Sequence, residues 1–357
     1  MDPAPTTLAE FGIEPAFAMP RRDDWRIGMV GFGSIARHAH APAYRAMGWP
    51  MVAVADPDSG ARRAARDLGV SAVYDDYRAL IADPRVEVVD LLAQANVREE
   101  VVEAAADAGK PLITEKPLAR TVAECERMIG RAARAGIALA VHQNYRWMPA
   151  NYAARALVRA GWVGEPYLVS IQIFGSQDVH LAGHAFYASC DDFLTVQWDN
   201  HLADLLRCWT GRNARRVLAR TGRMAGQSFA SDNLICVLAD FGPGLTGHVL
   251  HHELLRSSLA SQPCRIDGDG GSLVFDLWGT TITLDSVRLE GGPRRIDLAP
   301  LGLPPSFAGS MGDFLAAVEE GREPEVSGRR NLATIRTIIA EHASARAGGV
   351  WVEVAAG

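Results

Sequence analysis

The sequence has few cysteines, and their spacing fits neither a metal site nor a redox pair. The five cysteines lie far apart, none belongs to a C-x-x-C pair, and disulfide formation would leave one thiol unpaired. No apolar stretch reaches the length of a membrane span, and residues 1–24 contain acidic side chains without the continuous apolar segment of a signal peptide. These absences predict reduced, mostly buried thiols and a cytoplasmic protein.

Concentrated positive charge is missing as well. The net charge is −6, and basic residues gather only in short pairs such as Arg329 and Arg330, which argues against a nucleic-acid surface. The 48% hydrophobic and 22% charged residues over 357 positions are typical of a globular chain with two domains. We therefore expect a small-molecule partner, with no nucleic acid and no membrane involved.

The most informative stretch joins an apolar run, a glycine-rich turn and a helix-forming segment. Ile27–Val30 predicts a buried strand, and the following GFGSIA matches the G-x-G-x-x-A form of the dinucleotide fingerprint. The free N–H groups at the start of the predicted helix would bind an anion. The predicted cofactor contacts in this turn are Gly31, Phe32, Gly33, Ser34 and Ile35.

An acidic residue follows the second predicted strand. Asp56 comes directly after the run Met51–Ala55 and lies 20 residues beyond Ala36, the last fingerprint position. A carboxylate there accepts both ribose hydroxyls of the adenosine and repels a 2′-phosphate. The sequence thus predicts NAD rather than NADP as the cofactor; the alternative is a plain glycine turn beside a solvated aspartate.

Strand-like and helix-like segments alternate up to Val141, which predicts a doubly wound parallel sheet of the Rossmann type over residues 25–146. Residues 1–24 form an N-terminal arm, either disordered or lying across a neighbouring subunit. Strand-like runs from Tyr167 onward, followed by two terminal helices, predict a second domain over 147–357. The expected fold class is α/β plus α+β, with a large, mostly antiparallel open sheet in the second domain.

Several motifs in order carry a family resemblance. Thr114–Leu118 (TEKPL) after Gly109–Pro111 (GKP) resembles the GK-x-x-x-x-EKP signature of the Gfo/Idh/MocA family. Further matches are Arg146 with Pro149, GWVGEP at 161–166, H-x-x-D at 201–204, GDGGSL at 268–273 and EGREPEVSG at 320–328. The resemblance covers residues 25–352 and implies an NAD-dependent dehydrogenase of sugars or polyols, a homodimer or homotetramer joined through its C-terminal sheet. Residues 186–206 resemble members that oxidise aldoses such as apiose.

Lys116 and His201 are the residues to which the resemblance assigns the chemistry. Lys116 follows a predicted strand at its carboxyl end, where open α/β sheets bind ligands, and Pro117 keeps its backbone extended. The resemblance implies that Lys116 bonds the reacting hydroxyl and that His201 removes its proton, a task for which imidazole titrates in the right range. The alternatives are a surface lysine in a turn and a histidine satisfied inside the core.

The sequence departs from the family pattern at a few positions in these regions. Gln197 stands where the family usually has an acid four residues before the histidine, and Asp199 replaces a glycine and is a candidate to supply the lost charge from a different direction. Between Ala93 and Arg98, Gln94 replaces a proline and Arg98 a histidine. The resemblance places Gln197 and Asp199 with the catalytic pair Lys116 and His201. The further cofactor contacts that it implies are Ala93, Gln94, Asn96, Glu115 and Lys116. The substrate contacts that it implies are Lys116, Asn144, Arg146, Trp147, His184, Trp198 and His201.

No metal site is predicted. On a strand, His248 and His252 would lie on one face and His251 and Glu253 on the other, which leaves two ligands per face. His180 and His184 would meet only on a helix, which the intervening Gly183 disfavours. Two alternatives to a dehydrogenase stay open: a cofactor-binding sensor or partner without turnover, because of Gln197, and a glycoside-modifying enzyme that keeps NAD tightly bound.

Overall fold

A computed structural model of the chain describes residues 6–14, 17–183, 190, 198–299 and 305–355. The chain divides into two compact units. The parallel-sheet unit consists of Ala16–Trp147 and Leu303–Ile335, and the antiparallel-sheet unit of Met1–Pro15, Met148–Gly302 and Arg336–Gly357.

The parallel-sheet unit contains a six-stranded sheet in the order β3-β2-β1-β4-β5-β6, with every pairing parallel. Strands of such a sheet are covered on both faces, so they are continuous apolar runs; each residue of β1 and β4 is buried. The predicted Rossmann sheet is confirmed. The strands are Ile27–Val30 (β1), Met51–Ala55 (β2), Ala72–Tyr74 (β3), Val88–Leu91 (β4), Leu112–Thr114 (β5) and Leu139–Val141 (β6).

Helices alternate with these strands, and polar caps start several of them. Asp58 accepts a hydrogen bond from the Ala61 amide at 2.7 Å, and Thr121 with Glu124 forms the predicted capping box of a helix that ends at Gly136. The helices are a π-helical segment Ala36–His40 that continues as Ala41–Ala46 (α1), Ser59–Asp67 (α2), Tyr77–Ala82 (α3), Ala95–Asp107 (α4) and Val122–Ala135 (α5).

The antiparallel-sheet unit contains a nine-stranded sheet in the order β14-β13-β12-β11-β7-β10-β9-β8-β15, in which only β7 and β10 pair in parallel. Buried and more exposed residues alternate along its strands, as in Leu234–Asp240, so one face carries the core. The strands are Pro166–Phe174 (β7), Arg216–Gly222 (β8), Leu234–Asp240 (β9), Thr246–His252 (β10), Pro263–Gly268 (β11), Gly271–Asp276 (β12), Thr281–Ser286 (β13), Arg294–Asp297 (β14) and Val352–Glu353 (β15).

The remaining helices complete the two units. A 3-10 turn, Asn144–Trp147, ends the first segment of the parallel-sheet unit. In the antiparallel-sheet unit one helix packs against both β7 and a second helix. In chain order the helices are Pro149–Arg159 (α6), Gln177–His180 (α7), Asp199–Thr210 (α8, the helix packed on β7 and α6), Ser306–Glu320 (α9) and Gly328–Arg346 (α10).

Helix α9 belongs to the parallel-sheet unit, whereas the sequence placed it in a second domain over 147–357. Its residues Met311, Phe314 and Leu315 lie in the same buried cluster as Trp25 and Trp147. The apolar face of the helix is thus buried against the first unit, which sequence order does not reveal.

Residues 6–14 of the N-terminal arm pack onto their own chain. Thr6 pairs with Ile296, Phe11 contacts the ring of Trp162 at 5.0 Å between centroids, and Leu8 is 1% exposed. These contacts place this part of the arm in the antiparallel-sheet unit of its own chain. Among the described helices, none is long and apolar enough to cross a membrane.

Candidate active site

The two glycines of the turn after β1 differ in how much free space surrounds them. Gly31 has a φ of 92°, and a Cβ there would lie 2.8 Å from the Ala93 amide nitrogen, so only glycine fits against the end of β4. At Gly33 an added Cβ would meet no atom within 4 Å. Because the Arg37 amide already bonds the Gly33 carbonyl at 3.2 Å, the first helical turn begins directly beside this open space, as pyrophosphate binding requires.

Asp56 is bonded to the same turn. Its Oδ2 accepts a 2.7 Å hydrogen bond from the Phe32 amide, and its Oδ1 accepts one from the Asp58 amide at 2.8 Å. The Phe32 side chain itself lies in the core, so only its backbone is available to a ligand. The nearby Arg62 guanidinium donates to the carbonyls of Asp56 and Pro57. The carboxylate therefore lies where an adenosine ribose is bound in this fold.

The other predicted cofactor contacts lie at the carboxyl ends of β1, β4 and β5. Strands β1 and β4 are neighbours at the point where the strand order reverses, which is where doubly wound sheets bind ligands. Ser34, Ile35, Gln94 and Asn96 are exposed there, and Ala93 is half-buried. These residues fit a dinucleotide, and their roles remain predictions.

Lys116 is half-buried, and its backbone is held from two sides. Its amide donates to Oε2 of Glu115 at 3.1 Å. The buried Arg98 donates to the carbonyls of Ala93 at 2.9 Å and Glu115 at 2.6 Å, and also to that of Pro117. Burial lowers the pKa of Arg98 to about 10, against the opposing effect of Glu115, so the guanidinium stays charged near neutral pH. The arginine that departs from the family pattern thus ties the loop after β4 to the lysine segment.

Glu115 continues into a buried hydrogen-bonded cluster. Its Oε1 lies 3.0 Å from Nε2 of His40, whose Nδ1 lies 3.1 Å from Oδ2 of Asp90; Tyr44 donates to the same Asp90 oxygen at 2.8 Å. Burial alone would lower the pKa of His40, but Asp90 and Glu115 outweigh it and raise the pKa to about 9. Burial would raise the pKa of Glu115, yet hydrogen bonding to His40 brings it down to about 2. His40 is therefore an imidazolium between two carboxylates.

His142 completes this cluster after β6. Its Nε2 lies 3.1 Å from Oδ1 of Asp90, and its Nδ1 lies 2.7 Å from Oγ of Ser310; burial lowers its pKa, so the ring is neutral. His40, Asp90 and His142 are also residue types that ligate metals. Among the described residues, these three form the cluster whose ligand atoms lie close enough together to hold a metal ion. Their 3.1 Å contacts have hydrogen-bond length, and a His40 that carries protons on both ring nitrogens has no lone pair to offer a metal ion.

Sequence reasoning missed His40, Asp90 and His142. The available signal was Asp90, a carboxylate inside a strand that is otherwise apolar and covered on both faces. Such a group needs a buried partner of opposite charge. Because His40 and His142 lie far from it in sequence, the pattern could indicate the need for partners but not their identity.

The predicted substrate residues of the 3-10 turn are engaged in packing. Asn144 donates to Oγ of Ser306 at 3.0 Å, and Arg146 forms an ion pair with Glu325 at 3.3 Å. Trp147 is 3% exposed and belongs to the core cluster. These contacts hold the side chains in place, and their role as substrate contacts stays a prediction.

His201 lies near the start of α8 and is 7% exposed. Asp199, two residues earlier, pairs with His251 at 2.8 Å, and His251 also contacts Glu253 at 3.0 Å. Burial would lower the pKa of His251, but hydrogen bonding to Asp199 raises it to about 9. The Trp198 ring lies 5.6 Å from that of His251, while Gln197 and His184 fall outside the described residues. The observed charge partner of Asp199 is thus His251.

Strand β10 shows the predicted alternation of its histidines. His251 and Glu253 are buried, whereas His248 and His252 are half-buried on the opposite face. Each face therefore holds the pair of side chains that the sequence predicted for it. His251 and Glu253 bond each other directly, as an ion pair.

The parallel sheet carries a glycine turn with open space, a helix start beside it and an acid after the second strand. These features define a dinucleotide-binding unit. A lysine held at the end of the neighbouring strand is typical of an oxidoreductase. Comparison with known proteins agrees. Residues 25–143 match the model of an oxidoreductase family with an NAD-binding Rossmann fold. The chain belongs to this family, Gfo/Idh/MocA.

Similar proteins cover most of the chain. A D-apiose dehydrogenase from Paraburkholderia graminis is 29% identical, over 90% of this chain and 87% of its own length. Inositol 2-dehydrogenase 1 from Saccharopolyspora erythraea is 35% identical, over 72% and 75%. A crystal structure of an oxidoreductase from Agrobacterium radiobacter with NAD+, L-tartaric acid and magnesium has 23% identity, a TM-score of 0.84 and coverage of 93% and 98%. The last similarity supports the fold alone.

Proposed function

We propose that the protein is an NAD-dependent dehydrogenase that oxidises a hydroxyl group of a sugar or polyol. The observation that carries the proposal is the fixed position of Lys116 at the carboxyl end of β5, in the same unit as the fingerprint and Asp56. The names of its relatives, D-apiose dehydrogenase and inositol 2-dehydrogenase, give the substrate class. The similarity to the apiose enzyme also makes an aldose the first substrate to test.

In the proposed reaction, different residues of the chain bind the cofactor and act on the substrate. The amides at Gly33 and the helix start hold the pyrophosphate, and Asp56 holds the adenosine ribose. NAD, when bound, supplies the nicotinamide carbon that accepts a hydride. Lys116 donates a hydrogen bond to the reacting hydroxyl oxygen and stabilises the negative charge that develops there. His201 takes the hydroxyl proton, with Gln197 able to orient its ring by hydrogen bonding.

A turnover assay tests this proposal. The protein is incubated with NAD and a panel of aldoses, inositols and glycosides, and NADH is followed by absorbance. Lys116→Ala should abolish the signal, while Lys110→Ala, which changes the only other lysine of the chain, should retain it. No NADH with any substrate, in a protein that still binds NAD, would refute the proposed function.

A second candidate is an NAD-binding protein without net turnover, which acts as a sensor or partner. Gln197 favours it, because glutamine cannot stabilise an imidazolium by charge. In that case Gln197→Asp should create dehydrogenase activity that the natural chain lacks. Full activity of the natural chain would remove this candidate.

NAD that stays bound through purification and does not exchange would instead favour a glycoside-modifying enzyme.

We also propose that the chain forms a homodimer or homotetramer in the cytoplasm, through the sheet face opposite the core. Leu238 is 37% exposed and Val274 is 42% exposed, and both project from the non-core face. The outer face of an open sheet can pair with a second copy of the chain, which would bury these side chains. Leu238→Arg should lower the mass measured by light scattering, whereas a natural chain that is already a monomer would contradict the proposal.

A further inference from the structure

We propose that His40 is a positioning residue for Lys116, which acts through Glu115 to set where the lysine lies and how readily it gives up its proton. The inference rests on the proposed role of Lys116 in the dehydrogenase reaction. It assigns a purpose to a histidine that lies outside the fingerprint and contacts the predicted ligand residues through Glu115.

The geometry supports a direct line of contact. One oxygen of Glu115 contacts His40 at 3.0 Å, and the other accepts the Lys116 amide at 3.1 Å. The His40 side chain is fully buried and Glu115 is 7% exposed, so both hydrogen bonds are shielded from water. A rotation of the Glu115 carboxylate would break both contacts together. The position of His40 therefore fixes the carboxylate that lies directly before the lysine.

Other elements hold His40 itself in one orientation. Asp90, at the end of β4, binds its second ring nitrogen at 3.1 Å, and Tyr44, one helical turn further along, contacts the same nitrogen at 3.1 Å. The rings of His142 and Phe307 pack against its imidazole at 4.6 and 4.2 Å between centroids. A ring enclosed on these sides cannot change partners without moving the ends of several strands.

The charges around this line of contact nearly balance. The negative groups are Asp90 and Glu115, and the positive groups are His40 and Arg98; His142 and Tyr44 are neutral. The facing parts of α9, Phe307 and Ser310, carry no charge. Protonated His40 compensates most of the negative charge of Glu115, which weakens the attraction between Glu115 and the Lys116 ammonium. Without the positive charge of His40, Glu115 would hold the ammonium more firmly and keep it protonated to higher pH.

Nuclear magnetic resonance can test this on the intact chain, because it contains only two lysines, Lys110 and Lys116. Protein labelled with [6-13C]lysine gives two side-chain signals, and Lys110→Arg assigns them. His40→Gln should raise the titration midpoint of the Lys116 signal by about one pH unit, the scale of one nearby charge at partly buried sites. The Lys110 signal should not move. An unchanged Lys116 midpoint in a folded His40→Gln protein would overturn the proposal.

A double-mutant cycle separates action through Glu115 from a direct effect of the histidine charge. Glu115→Gln should lower the Lys116 midpoint, and His40→Gln added to it should shift the midpoint by less than half of its effect in the natural chain. An undiminished shift would mean that His40 acts on Lys116 directly, contrary to the proposal. Thermal melting shows whether each variant is folded.

A measurement on the natural chain covers the case in which the His40 variant does not fold. In protein labelled with 15N-histidine, both ring nitrogens of His40 should carry protons at pH 7.5; a ring with one bare nitrogen would overturn the proposal. None of these readouts needs turnover. An inactive chain can show every shift, and an active chain without them would lose only the role given to His40.

Discussion

The backbone amide of Phe32 donates a 2.7 Å hydrogen bond to Oδ2 of Asp56, which bonds the acid after the second strand to the loop that would carry the pyrophosphate. Asp56 therefore has two tasks, because it fixes the loop and offers its remaining lone pairs to a ribose. Each carboxylate oxygen has room for a further hydrogen bond. Loss of the side chain should affect both tasks together.

Replacing Asp56 by Ala should weaken NAD binding by roughly 10- to 100-fold, which is the loss of one or two charge-assisted hydrogen bonds. The preference for NAD over NADP should shrink at the same time, because the like-charge repulsion of the 2′-phosphate disappears. Titration calorimetry with both dinucleotides measures the two effects. Asp58→Ala is the matched control: it removes an acid that caps α2 and should leave the preference intact. Equal affinity of the natural chain for both dinucleotides would contradict this.

The two glycines of the turn should respond differently to alanine. Gly33→Ala adds a methyl group into space that is open in the protein, so the thermal midpoint without cofactor should stay nearly unchanged while NAD affinity falls by about tenfold or more. Gly31→Ala forces a Cβ to 2.8 Å from the Ala93 nitrogen at a positive φ and should destabilise the fold by more than ~1 kcal/mol. Melting curves with and without NAD distinguish the two. Undisturbed NAD binding by Gly33→Ala would place the pyrophosphate elsewhere.

Lys116→Ala and His201→Ala should each lower kcat by about two to four orders of magnitude, the range of general acid–base groups, with little change in NAD affinity. Because the two residues are proposed to act on the same hydroxyl, the double variant should be hardly worse than either single one. Steady-state kinetics with the best substrate of the panel gives these values. Multiplicative losses would show that the two side chains act in separate steps.

The oxidation rate should rise with pH through a step at or below about 6.5, the ordinary value of imidazole, because the glutamine at position 197 supplies no charge where the family usually has an acid. Asp199 bonds His251 at 2.8 Å, so Asp199→Asn should shift the step by less than half a unit. A profile of kcat/KM against pH measures both. A step well above 6.5 that drops in Asp199→Asn would instead give Asp199 the role of the missing acid.

Stability should fall as the pH rises from about 6.5 to about 9. The pKa of His40 is raised to about 9 in the folded chain, so the stability it adds is complete below 6.5 and is lost as the pH passes through 9. His40→Gln should reduce the slope of the unfolding free energy against pH by up to about 1.4 kcal/mol per unit in this range. Urea denaturation at several pH values measures the slope, with the exposed His38→Gln as control.

His251, with a pKa also raised to about 9, should contribute to the pH dependence of stability in the same range. Both carboxyl partners of His40 have lowered pKa values, whereas burial raises the pKa of Asp199, the partner of His251. The raised pKa of Asp199 shows a carboxylate that is costly to bury, and this offsets part of what the pair adds. Because the slope counts bound protons, His251→Gln should change it about as much as His40→Gln does, while costing less unfolding free energy at neutral pH.

Local patterns were sufficient to predict the first sheet, because its strands are short apolar runs separated by capped helices and glycine turns. Thr121 with Glu124, for example, identifies a helix start from four residues alone. The position of α9 and the partners of Asp90 depend instead on contacts between residues distant in sequence. No local signal records such contacts, so the sequence reached the fold class and the motif residues but not the buried cluster behind Lys116.

The division of the parallel-sheet unit into two chain segments also constrains how the protein is made. Its first segment ends at Trp147, yet Phe314 and Ser310, which complete its core and its buried cluster, follow only after Leu303. On the ribosome, the nucleotide-binding half cannot finish folding when its own strands have emerged, since it lacks a helix encoded more than 150 residues later. A gene fragment that stops after Trp147 would expose the apolar surface meant for that helix.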